Sequence, residues 1–186
     1  GAPGTGKSLL AFQLACGMAK NGHAGAVYEL EMAGVAVWRR YVSSISKIPT
    51  HEILSGIGMN DKWNEFSKAI EVAEKLPIYL SEETNWTTVK MRADLARLKQ
   101  KYDIQWFIVD YMGLLADSYG SDDTERQQHI SHQLRAITKD LNLASMTLQS
   151  VTKAGYSRPT MANVSGPTAI HHDADQRAIL SKDEDL

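Results

Sequence analysis

Leu10, Leu14 and Met18 recur at steps of four, so the stretch after the first few residues reads as a helix carrying all three on one face. Asn21-Gly22 marks its end. Residues 25–30 read as a short strand. Trp38, Tyr41, Val42 and Ile45 follow the i, i+3, i+4, i+7 spacing of a helix, and Trp63, Phe66, Ile70 and Ala73 form another such stripe. Pro77-Ile78-Tyr79-Leu80 reads as a strand with proline at its start, and Met91, Leu95, Leu98 and Tyr102 mark the next helix. From Ile104 to Val109 the chain is apolar except at Gln105, the pattern of a strand buried on both faces of a parallel sheet. Ile130, Leu134, Ile137 and Leu141 mark a long helix, and Ala144 to Leu148 a further strand. Beyond Ala154 the pattern weakens, and Gly155, Pro159, Gly166 and Pro167 predict loops.

Strands alternate with helices throughout, which predicts an α/β fold with a mostly parallel sheet. Ligands of such sheets bind at the carboxyl ends of the strands. The chemistry is therefore expected just after residues 30, 110 and 149.

Composition narrows the function classes. The 186 residues, 43% of them hydrophobic, suit one domain with a real core. A formal charge of −2 excludes a strongly basic nucleic-acid coat, so any such contact must come from a local patch. The lone Cys16 excludes an internal disulfide and favours a reducing compartment. No apolar run approaches the roughly 20 residues of a membrane span, and no signal peptide is evident. The first residue already lies inside a motif with no strand before it, and the C-terminal Ser-Lys-Asp-Glu-Asp-Leu is polar up to its final leucine. The expectation is a single domain over residues 1–186, truncated at both ends.

That first motif carries the clearest chemistry. Gly1-Ala2-Pro3-Gly4-Thr5-Gly6-Lys7-Ser8 fits the phosphate-loop pattern in full. Its glycines let backbone N–H groups wrap phosphate oxygens, Lys7 adds positive charge near the β- and γ-phosphates, and the Ser8 hydroxyl suits Mg²⁺. The following helix turns its positive end to the anion. ATP and Mg²⁺ are the implied ligands.

A phosphate loop needs a second carboxylate. Trp106-Phe107-Ile108-Val109-Asp110 ends an apolar strand with an aspartate, the Walker B pattern, in which the carboxylate holds Mg²⁺ through water. Hydrolysis also needs a group to orient water. Glu29 and Glu31 end the first strand on one face, with Leu30 on the other. Glu31, further toward the carboxyl end, is the candidate base.

These elements in this order resemble the RecA-like ATPase core of DnaB-type replicative helicases. Val27-Tyr28-Glu29-Leu30-Glu31-Met32 is similar to the family's Leu-Glu-Met segment, whose glutamate activates water, and that role falls on Glu31. Ile108-Val109-Asp110-Tyr111-Met112-Gly113-Leu114 is similar to its Val-Asp-Tyr-Leu-x-Leu signature, and residues 76–99 resemble the strand–helix unit before it. Thr147-Leu148-Gln149-Ser150 sits where the family has a strand ending in a glutamine that senses the γ-phosphate. Since the family order is Ser-Gln, the sensor is Gln149 or Ser150. Arg40 matches a family arginine near the nucleotide base. Asp110 lies 103 residues after Lys7, a spacing closer to this family than to clock or recombination ATPases. The resemblance implies a homohexameric ring with ATP between subunits, single-stranded DNA in its channel, a primase or helicase loader as partner, and a cytoplasmic location in a bacterium or phage-infected cell. It also implies an arginine finger beyond this C-terminus. The family's DNA-contacting loop often carries an arginine. The matching stretch, Ser165-Gly166-Pro167-Thr168-Ala169-Ile170, has none. A clock- or recombination-type ATPase without unwinding, or a non-catalytic remnant, is the alternative.

Other features read as structure. His129, His132, His171 and His172 have no cysteine pair or His-Glu helix motif beside them to suggest zinc. Lys90, Arg92, Arg97, Lys99 and Lys101 form a basic helix surface of the kind that is usually solvated. Trp38, Trp63 and Trp106 are expected in the core, Trp86 against a neighbouring subunit, and Cys16 buried. The polar segment from Asp117 to Gln127 reads as a mobile loop.

Overall fold

The computed structural model describes residues 2–152, 160, 164, 166, 167 and 172–181. Gly1, Ala154, Gly155, Pro159, Ser165, Thr168 to His171 and the last five residues, all named above, lie outside that set. The elements run α1 (Lys7–Lys20), β1 (Gly25–Glu29), α2 (Gly34–Ser46), α3 (Thr50–Ser55), α4 (Trp63–Glu74), β2 (Ile78–Ser81), α5 (Thr88–Tyr102), β3 (Trp106–Asp110), a 3-10 turn (Met112–Leu114), α6 (Asp123–Asp140) and β4 (Ala144–Thr147). The four strands form one sheet in the order β2-β1-β3-β4, and every pairing is parallel. This is the expected α/β architecture.

Alternation along β1 and β3 divides the core. Ala26, Tyr28, Phe107 and Val109 face α5 and α6, where they meet Met91, Leu95, Leu98, Ile130, Leu134 and Ile137. Val27, Trp106 and Ile108 face the other way and meet Ala11 and Ala15 of α1. A third cluster joins α1 to α2 and α4 through Phe12, Cys16, Val37, Tyr41, Val42, Ala69 and Ala73. Both central strands are buried throughout, as strands covered on both faces by helices must be. β1 and β3 pack closely at their starts. A methyl at Gly25 would sit 2.1 Å from the Trp106 ring, whose Nε1 is in turn fixed to the His23 carbonyl at 2.9 Å.

Several expectations are corrected by the packing. The Leu10 and Leu14 side of α1 is its outer side, 41% and 47% exposed. The buried residues are Ala11, Phe12, Ala15, Cys16 and Ala19, and of these the small Ala11 and Ala15 lie against the sheet. Trp63, at the first position of α4, is 55% exposed and touches Phe66 edge-on, so it is not core. Trp86 is the reverse: it is buried within its own chain, edge-on to Tyr28 at 4.9 Å, with Nε1 donating to the Ser81 hydroxyl. The segment from Asp117 to Gln127 is no loose loop. Its second half is the start of α6, and Asp117 is buried, accepting both the N–H and the hydroxyl of Thr88. Arg126 closes the same region by donating to the Leu115 and Gly113 carbonyls.

The basic surface of α5 is neutralised locally. Lys90 pairs with Glu83, Arg92 with Asp140, Arg97 with Asp94 and Lys99 with Asp103, and Lys101 lies over the Tyr102 ring. Exposed pairs of this kind contribute little to stability and leave little net field for a phosphate backbone. His129 stacks on Tyr119, and His132 contacts Asp173, which also accepts from Ser131. Asp173, with the His172 carbonyl accepting from Arg135, thus rests on α6.

Candidate functional site

The carboxyl ends of β1 and β3 lie side by side, with Glu29 paired in register with Asp110. Leu30 continues the ladder by one bond, its N–H donating to the Asp110 carbonyl at 2.8 Å. The Asp110–Tyr111 peptide is cis.

The phosphate loop arrives at this edge because α1 begins there. Its N-cap is Gly6, at φ 88°, and Gly4 has φ 73°, backbone conformations that side chains other than glycine resist. Pro3, Gly4 and Gly6 are exposed, and Ala2, Thr5, Lys7 and Ser8 half-buried. The loop is braced on Ala2, whose carbonyl accepts the Thr5 hydroxyl at 2.9 Å and the Lys7 ammonium at 2.8 Å. The N-cap of α1, being glycine, has no side chain with which to cap the helix.

Asp110 is 3% exposed, and its Oδ2 has no hydrogen-bond partner among the described residues. Burial holds its carboxyl above the usual carboxylate range. The nearby Ser8 hydroxyl and the Lys7 charge pull it down, and Glu31 pushes it up. Ser8, Lys7 and Glu31 thus all lie near Asp110, and these sequence-identified residues gather around its carboxylate. A buried carboxylate oxygen with no donor is a costly feature unless a cation completes it. With a hydroxyl beside it, the oxygen-donor set suits Mg²⁺.

Glu31 itself is exposed, in the turn between β1 and α2. Arg40 is also exposed and borders a small pocket with Ser8, Leu9, Phe12, Met32 and Val37, which puts it on the phosphate-loop side of α2. Gln149 follows β4 at the same edge of the sheet, where its Nε2 donates to Gln127 Oε1 at 3.2 Å. The Met112 N–H, donating to the Leu148 carbonyl, ties that end to the turn after Asp110.

One residue stands out that sequence reasoning left without a role. Glu29 is 3% exposed, and its Oε1 accepts the N–H groups of Glu31 and Met32 at 3.3 and 3.0 Å. Burial, and then the Asp110 charge beside it, push its carboxyl up to about 7. The signal was available: like β3, β1 is an apolar strand that ends in a carboxylate.

The profile of the DnaB-like helicase C-terminal domain matches residues 1–186. This chain belongs to that family. Among curated members it is 27% identical to the replicative DNA helicase DnaB of Treponema pallidum, over 97% of this chain and 42% of that protein. It is 25% identical to the replicative DNA helicase DnaC of Bacillus subtilis, over 98% of this chain and 42% of that protein. With DnaB of Mycobacterium intracellulare it shares 25% identity, over 88% of this chain and 29% of that protein. The chain thus spans less than half the length of these relatives. Among solved structures it is similar to one described as an ATPase domain, with a TM-score of 0.88 and 20% identity, over 94% of this chain and 64% of that one. A DnaB-like replicative helicase, described with its primase interactions, gives the same TM-score and identity over 94% of this chain and 44% of its own. The four-stranded parallel sheet with flanking helices is accordingly the RecA-like fold of DnaB-type ATPase domains.

Proposed function

We propose that this chain is the ATP-hydrolysing core of a replicative DNA helicase, one that couples hydrolysis to movement along single-stranded DNA and to duplex unwinding. The observation that supports it most directly is Oδ2 of Asp110, without a partner among the described residues and buried beside Ser8 and Lys7 at the start of a helix whose N-cap is a left-handed glycine. The N–H groups there, with Lys7, hold the phosphates of ATP. Ser8 and Asp110 hold the magnesium ion. When bound, the ion neutralises charge on the β- and γ-phosphates. Glu31 orients and deprotonates the attacking water, Arg40 lies toward the nucleotide base, and Gln149 or Ser150 senses loss of the γ-phosphate. The working unit is a homohexameric ring with nucleotide between subunits, and a primase or loader is its protein partner. An arginine from the neighbouring subunit is worth about 10³–10⁵ in rate in comparable enzymes, so the isolated chain turns over ATP slowly.

The test is ATP turnover by the full-length protein that carries this chain, with and without single-stranded DNA, beside its Glu31→Gln variant. Turnover strongly stimulated by DNA and lost in the variant is expected. DNA-independent turnover would instead assign the chain to a RecA-like ATPase that does not unwind. Nucleotide binding with no turnover would make it a binding module.

A further inference from the structure

Glu31 has the exposure a water-activating group requires, but nothing fixes its side chain: among the described residues its carboxylate makes no hydrogen bond or ion pair. Its aim is therefore set by the backbone of the turn between Glu29 and Gly34. That turn is held at both ends. At the far end, Gly34 is packed so tightly that a methyl there would lie 2.4 Å from the Glu82 carboxylate and 2.6 Å from Leu80, which seats the start of α2 on β2. At the near end, two consecutive N–H groups, those of Glu31 and Met32, converge on one oxygen of Glu29. Glu29 is paired in register with Asp110, at the end of a strand that is paired on both sides as far as Tyr28, which anchors its backbone against the turn.

We propose that Glu29 is a positioning residue whose side-chain oxygen clamps the Glu31 turn and so fixes where the water-activating carboxylate points. This deepens the reading of Glu31 as the base and rests on it. The Glu29 Oε1 is turned back onto the turn's own N–H groups, and the residue is 3% exposed. Burying a carboxylate next to Asp110 is unfavourable, and the two backbone bonds offset part of that cost. What the turn requires is an acceptor at that place, whether or not it carries charge. A glutamine can supply one and a methionine of similar volume cannot.

The experiment compares Glu29→Gln, Glu29→Met and Glu29→Ala with the wild type and Glu31→Gln, all in the full-length protein. It reads kcat and KM for ATP, affinity for a non-hydrolysable ATP analogue, and thermal melting. Glu29→Gln should keep kcat within about threefold. Glu29→Met should lose roughly 10- to 100-fold in kcat, the scale of an ångström-level misplacement, with KM and analogue affinity nearly unchanged. Glu29→Ala covers the case in which methionine is not tolerated, since it removes the acceptor without adding bulk. A Glu29→Gln enzyme as inactive as Glu31→Gln, with analogue still bound, would overturn the proposal by showing that the carboxylate itself is needed. Full activity in a folded Met or Ala variant would overturn it too. If Glu31→Gln hydrolyses ATP like the wild type, it is the assignment of Glu31 that fails, a result separable from either of these.

Discussion

Helices α1 and α5 lie on opposite faces of one sheet, and they begin in opposite ways. α5 starts with two of its N–H groups taken by side chains: Thr87 accepts from Lys90, and the Asp117 carboxylate accepts from Thr88. α1 starts from a left-handed glycine with no side-chain cap. A helix leaves four N–H groups without intrahelical partners at this end, and each fold must satisfy them or present them. In α5 two of them are closed off from within the chain, by the Asp117 carboxylate and the Thr87 hydroxyl. In α1 the N-cap is a glycine, which brings no side chain to compete with an anion. The bodies of the helices differ in the same sense. α5 buries Met91, Leu95 and Leu98, while α1 turns its leucines outward and lays alanines on the sheet. Small residues bring α1 close, and its close approach holds the phosphate loop at the strand ends. One helix is scaffold, and the other is a mount.

That contrast can be broken by substitution. Leu95→Ala, at a side chain with no exposure, should cost about 2–5 kcal/mol in denaturant unfolding, the range for emptying a packed core site. A loss below about 1 kcal/mol would mean that α5 is not the scaffold described. Next in size is the effect of ligand at α1. Mg-ATP at a hundredfold excess over Kd should stabilise the protein by about 2.7 kcal/mol, visible as a raised Tm, and Lys7→Ala should abolish the rise. Asp117→Ala should destabilise by about 1–3 kcal/mol through the orphaned Thr88 N–H, with ATP affinity unchanged. Reduced affinity would show that the α5 cap also serves the site. The smallest effect is expected at Leu14. Exchange to alanine there should stay within about 0.5 kcal/mol, because the side chain is nearly half exposed.

Much of this was legible from the chain. The alternation of strands and helices, the phosphate loop and the aspartate closing β3 all follow from local patterns with a direct physical meaning. What escaped depended on distant parts. Leu10 and Leu14 share the four-residue period with Ala11, Ala15 and Ala19, so periodicity identifies a helix and two possible faces, and only the sheet beneath decides between them. Trp86 sits among polar neighbours, yet the Ala116 N–H bonds its carbonyl and Ser81 accepts its indole, contacts thirty and five residues away. Asp117 looked like part of a solvated run because its partner Thr88 lies on another element. α3 is six residues long and buries none of them, too short to show a stripe. Glu29 was visible as a strand-end acid, but its bonds to the turn depend on how the chain bends after Leu30.

The all-parallel sheet also has a consequence in time. No two neighbouring strands can form a hairpin. β1 meets β2 through Gly25 and Ile78, and meets β3 through Gly25 and Trp106, so its ladders close loops on the order of fifty and eighty residues. The entropy of those closures is lost before any ladder bond returns it, which makes such a topology slow to assemble. A ribosome releases β1 long before β3 exists. Through that interval the Gly25–Glu29 segment, later buried along its whole length, stays open to water and to other chains.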